Sequence, residues 1–231
     1  MRVRIGRKKI TIRRDAIVGF LVGVLVVGIG YELYSYTRQQ SKPVDSVRYD
    51  ASGLGIRWLP PTVQRWEEDI ERHARTYNVN PDIIAILMSI ESGGYSRASS
   101  GVAYGLMQVT EYTGGDIAKK FLKEPVDEYD LYDPATNIEF GAAYIAYLMN
   151  TFCSERISSN ECVELIAAGY NGGPGAANNL YEGNGLEDME TVGYSRDARN
   201  MWRERGAAKS PTYARWLERG GQSLIDAAKA E

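Results

Sequence analysis

The chain has 231 residues, of which 44% are hydrophobic and 25% are charged, and this composition excludes a wholly disordered protein. One histidine and two cysteines are too few for a zinc site built from these two ligand types. The first 14 residues carry seven Lys or Arg and no acid, which leaves 20 basic and 30 acidic residues and a net charge of −10 beyond them. A body of this charge excludes a generic nucleic-acid-binding protein.

The basic segment, residues 1–14, is followed by sixteen uncharged residues from Ala16 to Tyr31. With its flanks, the stretch 15–36 is long enough to span a bilayer as a helix, and the tyrosines at its end suit a membrane interface. We therefore predict a transmembrane signal anchor, with residues 1–14 in the cytoplasm and the rest of the chain outside. The alternative is a signal peptide that is cleaved after export, for which Gly28 and Gly30 provide a small-residue pair.

Residues 37–58 are polar and lack a helical or strand period, which predicts a linker before a domain at 59–231. In that domain the apolar spacing predicts a mostly helical fold with at most a short β-ribbon near residues 102–109. Four helix starts carry side chains that can cap the first turn, namely Thr62, Asn80, Asp133 and Ser158. The predicted helices cover about 62–77, 81–91, 134–152, 159–170, 187–205 and 211–229.

The two cysteines, Cys153 and Cys162, are nine positions apart on either side of a polar stretch. Both interpretations of the N-terminal segment export the domain to a compartment that permits disulfides. A bond between them would then join two helices and close a short loop. The alternative is a pair of free, buried thiols.

Glu91 stands on the apolar face of the second predicted helix. Met88, Leu87 and Ile84 precede it by three, four and seven positions, so they share its face. Burial and the negative end of the helix dipole both disfavour a carboxylate there and raise its pKa. These are the properties of a general acid that works near neutral pH.

Three short motifs follow in order: Glu91-Ser92-Gly93, then Gly105-Leu106-Met107-Gln108, then Ala168-Gly169-Tyr170-Asn171-Gly172-Gly173. Between the last two, DPATNIEFGAAYIAYL begins at Asp133 and ends at Leu148. This set, which extends over roughly 62–175, resembles the soluble lytic transglycosylase family of lysozyme-like, peptidoglycan-cleaving enzymes. The resemblance implies a goose-type lysozyme or lytic transglycosylase fold and, with the anchor, a cell-membrane protein whose catalytic domain is extracytoplasmic.

The resemblance also implies roles for individual residues. Glu91 would be the single catalytic acid and base, and Ser100 would help to hold the sugar's N-acetyl group. Gln108 would line the cleft with Met107 beside it, and Tyr144 would be another cleft residue. Tyr170 would form a hydrogen bond near the acid, and Asn171 would hold the turn after its helix. Tyr194 resembles the tyrosine of the family's Glu-Thr-x-x-Tyr region and has no assigned role.

The implied reaction cleaves the β-1,4 bond between N-acetylmuramic acid and N-acetylglucosamine and leaves a 1,6-anhydro-muramic acid end. It needs one carboxylate and no metal or cofactor. Partners would be peptidoglycan strands, the membrane and an envelope protein complex, and nucleic acid is not expected.

Two alternative functions remain. A lysozyme-type hydrolase of the same fold would need a second carboxylate to activate water, and the candidates are Glu111, Asp116, Asp133 and Glu139. A non-catalytic glycan-binding component of an envelope machine would need no acid, so the presence of Glu91, Gln108 and Tyr170 together argues against it.

Overall fold

The computed structural model describes residues 2–5, 8–11, 45–117, 119 and 130–231. The chain divides into two units, residues 1–41 and 42–231. In the first unit, β1 (Arg2–Ile5) pairs with β2 (Lys8–Thr11) in an antiparallel ladder. No strand is predicted for residues 1–14, because the predicted ribbon near residues 102–109 concerns only the domain at 59–231. The alternation of basic and apolar residues in β1 is itself the two-residue period of a strand.

The predicted transmembrane helix at residues 15–36 lies outside the described residues. Within the part of the chain that the structure does describe, no helix combines the length and the apolar composition needed to cross a membrane.

The second unit is built mainly from helices. They are α1 (Pro61–Gln64), α2 (Glu67–Tyr77), α3 (Pro81–Glu91), α4 (Glu111–Ile117), α5 (Pro134–Phe152), α6 (Ser159–Tyr181), α7 (Met189–Glu204), α8 (Pro211–Trp216) and α9 (Gln222–Ala230). An antiparallel ribbon of β3 (Ala103–Tyr104) and β4 (Val109–Thr110) lies between α3 and α4 in the chain. The predicted mostly helical fold with a small β-ribbon is confirmed.

Local capping explains why three of these helices begin where the sequence predicts. Asn80 accepts a hydrogen bond of 2.9 Å from the backbone N–H of Asp82, the second residue of α3, and Asp133 accepts one of 2.8 Å from that of Thr136, the third residue of α5. Ser158 and Glu161 form a reciprocal capping box at the start of α6. Each cap satisfies N–H groups that the helix itself leaves without a partner.

The first predicted helix is interrupted, and Thr62 is not its cap. Pro60 occupies the cap position of α1, which ends at Gln64. Trp66 leaves the helical conformation, with φ −96° and ψ 9°, and its indole N–H donates a hydrogen bond of 3.1 Å to the Gly94 carbonyl. A tertiary contact, which apolar spacing cannot reveal, therefore accompanies the break before α2.

Helix α6 extends beyond its predicted end at Tyr170. Gly173 interrupts it with φ 82° and ψ 169°, and a second helical segment continues to Tyr181. Pro174 comes directly after the break, where a missing N–H removes no hydrogen bond from the new segment. The NGGPG sequence therefore bends the helix at this point, and the chain resumes helical structure after it.

The helical body begins before residue 59, so the predicted linker at 37–58 extends too far. Val47 is fully buried, and its carbonyl accepts a hydrogen bond of 2.9 Å from the Asn80 backbone N–H. Trp58 stacks on Tyr213 with 5.2 Å between ring centroids. Val47 ends a 3₁₀ helix of only three residues, Asp45–Val47, and Trp58 lies in a turn, so their burial produces no helical or strand period in the sequence.

A disulfide between Cys153 and Cys162 joins the end of α5 to the start of α6, with 5.2 Å between the Cα atoms. Both cysteines are fully buried. Between the two sequence-based alternatives, the structure contains the bonded form.

Candidate active site

Glu91 is the last residue of α3, a helix whose residues 81–89 are all buried. The Glu91 side chain is half-buried. Its pKa is raised from 4.5 to about 7: burial raises it most, a hydrogen bond from Tyr194 opposes the rise, and the nearby charge of Glu190 adds to it. A carboxyl group with this pKa can both donate and accept a proton near neutral pH.

Tyr194, on α7, is the direct partner of this acid. Its hydroxyl donates a hydrogen bond of 2.6 Å to Glu91 Oε1, and its side chain is 9% exposed. Burial and the Glu91 charge raise the pKa of Tyr194 well above its usual range, so it stays a donor. Sequence reasoning gave this tyrosine no role, although the Glu-Thr-x-x-Tyr pattern was a usable signal.

Tyr170 lies near the acid but bonds to another group. Its hydroxyl donates a hydrogen bond of 2.8 Å to the Met107 carbonyl, while burial first and the Glu91 charge second raise its pKa well above the usual range. Its ring packs on Tyr144 at 5.5 Å between centroids, and the Tyr144 hydroxyl donates to the Gly169 carbonyl at 3.1 Å. The two tyrosines therefore connect α5 and α6 to the loop that carries Met107.

Asn137 holds this loop in place, a role that sequence reasoning did not assign. Its Oδ1 accepts a hydrogen bond of 2.7 Å from the Met107 N–H. Its Nδ2 donates to the carbonyls of Tyr104 and Leu131, at 2.9 and 2.8 Å. The residue is fully buried, so losing it would leave several polar groups without partners.

Gln108 ends the same loop in a left-handed conformation, with φ 46°. Its Nε2 donates to the carbonyls of Ala98 and Gly105, at 3.1 and 3.0 Å. Together with Tyr144 and Tyr170 it lines a cavity of about 40 Å³. The two predicted cleft residues, Gln108 and Tyr144, therefore lie together with Tyr170.

Met107 supports the loop from inside the core. Its side chain is fully buried, and a Cβ added at Gly141 of α5 would lie 2.8 Å from its Cγ. The Met107 side chain therefore packs directly against the backbone of Gly141, where a larger residue would clash with it. Met107 does not line the cavity of Gln108, Tyr144 and Tyr170, and its backbone carbonyl accepts the hydrogen bond from Tyr170.

Ser92 connects the acid-bearing helix to this loop. Its hydroxyl donates a hydrogen bond of 2.6 Å to the Leu106 carbonyl and accepts one of 3.1 Å from the Gly94 N–H. The serine that follows the acid therefore fixes the relative position of Glu91 and the Gly-Leu-Met-Gln loop.

Ser100 and Asn171 lie apart from this group. Ser100 is exposed, and its Oγ accepts a hydrogen bond of 3.2 Å from the Ala103 N–H at the start of the ribbon. Asn171 Oδ1 lies 2.7 Å from the Thr191 hydroxyl and lines a second cavity of about 410 Å³. Asn171 therefore connects α6 to α7, which carries Tyr194.

The four carboxylates named for a hydrolase have other contacts in the structure. Asp133 caps α5, and Glu139 accepts a hydrogen bond of 2.9 Å from Tyr77. Glu111 and Asp116 belong to α4, where the Asp116 charge acts on Tyr144. The carboxylate whose charge acts on Glu91 is Glu190, which sequence reasoning did not name.

Comparison with known proteins gives a consistent result. The chain is 34% identical over 139 residues to the membrane-bound lytic murein transglycosylase C of Yersinia enterocolitica, which covers 54% of this chain and 38% of the relative. It is 37% identical over 93 residues to the membrane-bound lytic murein transglycosylase E of Buchnera aphidicola. This aligned region covers 38% of this chain and 43% of the relative. The chain thus spans about two fifths of the length of these relatives.

A solved structure is similar over a larger share of this chain. It is an inactive mutant of the lytic transglycosylase Slt from Pseudomonas aeruginosa, with 25% identity and a TM-score of 0.50, covering 66% of this chain and 26% of that one. The sequence model of the Transglycosylase SLT domain matches residues 68–191, more than half of the chain, and it includes Glu91, Gln108 and Tyr170. The chain therefore belongs to the Transglycosylase SLT domain family.

Proposed function

We propose that this protein is a peptidoglycan lytic transglycosylase in which Glu91 is the single general acid and base. The observation that carries the proposal is the Glu91 carboxyl group itself, with a pKa of about 7 and a hydrogen bond from Tyr194. The names of the relatives, which are lytic murein transglycosylases, support the same reaction.

In the proposed reaction, protonated Glu91 gives its proton to the oxygen of the β-1,4 bond between N-acetylmuramic acid and N-acetylglucosamine. The substrate's own acetamido group stabilises the cationic centre at C1. The Glu91 carboxylate then takes the proton from the muramic acid 6-hydroxyl, whose oxygen bonds to C1. The product carries a 1,6-anhydro ring, no water is consumed, and Glu91 returns to its starting state.

The neighbouring residues have positioning roles in this proposal. Tyr194 orients the carboxyl group through its hydrogen bond, and Ser92 holds the acid-bearing helix against the Gly-Leu-Met-Gln loop. The hydroxyl donors of Tyr144 and Tyr170 are used within the fold, so these residues would offer their aromatic rings to a sugar, and Gln108 borders the same cavity. Ser100 would contact the N-acetyl group from the ribbon side.

We further propose that the protein acts at a membrane. The relatives are named membrane-bound, and residues 15–36 have the composition of a signal anchor. The catalytic unit would then lie outside the cytoplasm, where peptidoglycan is found.

The test is mass spectrometry of the products that full-length protein releases from purified peptidoglycan. We expect muropeptides that end in 1,6-anhydro-muramic acid, and we expect Glu91→Gln to lower their yield by at least about a hundredfold because a general acid is lost. Glu155→Gln, at an exposed position, is the matched control and should keep full activity.

Two outcomes would contradict the proposal. Products that are heavier by one water molecule and have reducing ends would identify a hydrolase, with Glu190 as the first carboxylate to test. A folded wild-type protein that binds peptidoglycan but releases no product would indicate a binding component.

A further inference from the structure

His73 is the only histidine of the chain, and it lies on the buried face of α2. It follows Ile70 by three residues and precedes Tyr77 by four, so the three side chains share one face of the helix. The residue is 7% exposed. Neither ring nitrogen, Nδ1 or Nε2, has a hydrogen-bond partner among the described residues. The helix therefore buries a titratable group without satisfying its polar atoms.

The charges around the ring do not make up for its burial. Helix α2 packs against α5 and α3, and the charges that act on the ring are Glu139 of α5 and, on α2 itself, Arg72 and Asp69. Burial lowers the pKa of His73 below its usual value, and the Glu139 charge, which opposes this, has the smaller influence. The ring is therefore neutral in the folded protein near pH 7.

The ionisable residues of α3 have partners of their own. Asp82 accepts a hydrogen bond of 2.8 Å from the Gly55 N–H, and Glu91 accepts the bond from Tyr194. The Glu139 carboxylate likewise accepts a hydrogen bond of 2.9 Å from the Tyr77 hydroxyl. A protonated His73 would carry a positive charge and two N–H donors, and a buried charge without a bonded partner is costly. Moving the ring into water relieves this cost.

The contact between α2 and α5 is close to the candidate active site. The bond from Tyr77 to Glu139 joins the two helices. Asn137, which precedes Glu139 by two residues, accepts the hydrogen bond from the Met107 N–H. A change in the packing of α2 on α5 would therefore reach the residue that holds the Gly-Leu-Met-Gln loop.

We propose that His73 is an acid-sensitive contact of the fold, in which protonation of the ring loosens the packing of α2 against α5. The inference does not depend on the proposed function. Because the pKa of His73 is lower in the folded state than in the unfolded state, its contribution to stability is fully present above about pH 6.5, the usual pKa of histidine. That contribution is lost as the pH falls below this value. Glu91 contributes with the opposite sign, because its folded-state pKa is raised.

The first measurement is an NMR titration of full-length protein without a histidine tag, labelled with ¹³C in histidine. One ring signal is expected, because the chain has one histidine. We expect the signal of the folded protein to remain that of a neutral ring at pH 6.5 and to titrate only at lower pH. A midpoint at or above pH 6.5 in the folded protein would overturn the proposal, because the ring would then bind its proton without cost.

The second measurement is urea denaturation of full-length protein at pH 7 and at pH 5. Between these values we expect the equilibrium constant for unfolding to rise at least about threefold more in the wild type than in His73→Leu, and one titrating group allows at most about tenfold per pH unit. The contribution of Glu91 is common to both proteins and cancels in this comparison.

Thr76→Ala, an uncharged change at an exposed position of the same helix, is the control and should keep the pH dependence of the wild type. His73→Gln, which also removes the titrating group, is measured beside His73→Leu and should show the same reduced pH dependence. An equal pH dependence in the wild type and in either His73 variant would show that proton uptake by this ring does not loosen the fold.

Discussion

The Glu91 carboxyl group is subject to opposing influences within a few ångströms. Burial and the Glu190 charge raise its pKa, the hydrogen bond from Tyr194 lowers it, and the net value is about 7. The general acid must be protonated for the first step, so activity should fall as the pH rises through this value. The hydrogen bond from Tyr194 therefore lowers the pH up to which Glu91 stays protonated. The same bond fixes the orientation of the Glu91 carboxyl group.

Replacing Tyr194 with phenylalanine tests its effect on the pKa of Glu91. In Tyr194→Phe the hydrogen bond that favours the carboxylate is lost, so the pKa of Glu91 should rise and the alkaline limb of the pH–kcat profile should move to higher pH. We also expect kcat to fall about tenfold at the optimum, because one hydrogen bond to a charged group is lost.

The measurement is the pH–rate profile on soluble glycan strands. Tyr112→Phe, at a side chain that is 82% exposed, is the control for removing a tyrosine hydroxyl. A Tyr194→Phe profile with reduced kcat and an unmoved alkaline limb would contradict the proposed effect on Glu91.

The sequence predicts the proposed acid, Glu91, but not all of its contacts. The position of Glu91 on the apolar face of its helix could be predicted because Leu87 and Met88 are near it in the chain. The partner could not be derived from spacing, because Tyr194 is 103 positions away. Tyr170 lies close enough for the Glu91 charge to act on it but donates to a backbone carbonyl, a partner that only the folded loop determines.

Helices α5 and α6 carry Tyr144 and Tyr170, and the disulfide closes the connection between them. Replacing Cys153 and Cys162 together with alanine should reduce the free energy of unfolding by roughly 2–3 kcal/mol, because the unfolded chain regains the freedom of a short loop. The packing of the two helices should persist, so the activity of the folded protein should change little.

Chemical denaturation of the oxidised protein and of the double variant measures this difference. Wild-type protein treated with a reductant is the control and should approach the stability of the variant. Equal stability of all three forms would mean that the bond adds nothing to the fold.

Elements with local signals were predictable, and elements set by tertiary contacts were not. The starts of α3, α5 and α6 depend on caps within three residues of the helix. The break between α1 and α2 accompanies a bond from Trp66 to Gly94, 28 positions away. The extension of α6 beyond Gly173 likewise depends on packing against α7, which the NGGPG sequence does not reveal.

The second unit as a whole includes residues that the sequence suggested were a linker. We expect a fragment of residues 45–231 to fold and a fragment of 59–231 to be less stable by at least about 3 kcal/mol. The shorter fragment loses the buried side chains of Val47 and Ile56, each of which contributes about 1.5–3 kcal/mol.

Thermal unfolding of the two fragments, followed by circular dichroism, checks this boundary. The control is the 45–231 fragment with Asp50→Asn, a change at an exposed position. This variant alters the same segment but keeps its apolar contacts, so its melting temperature should stay close to that of the unchanged 45–231 fragment. Equal melting temperatures for the 45–231 and 59–231 fragments would restore the boundary at residue 59.

The turn that follows Glu91 is completed by distant parts of the chain. The Gly94 carbonyl accepts hydrogen bonds from Arg65 and Trp66, and Arg65 also donates to the Ala228 carbonyl, 163 positions away. A Cβ at Gly93 would lie 2.9 Å from Ile225 of α9. Contacts between such distant residues close long loops, which costs chain entropy. The backbone beneath the acid is therefore held in part by α9, and this helix lies outside the segment 68–191 that the family model matches.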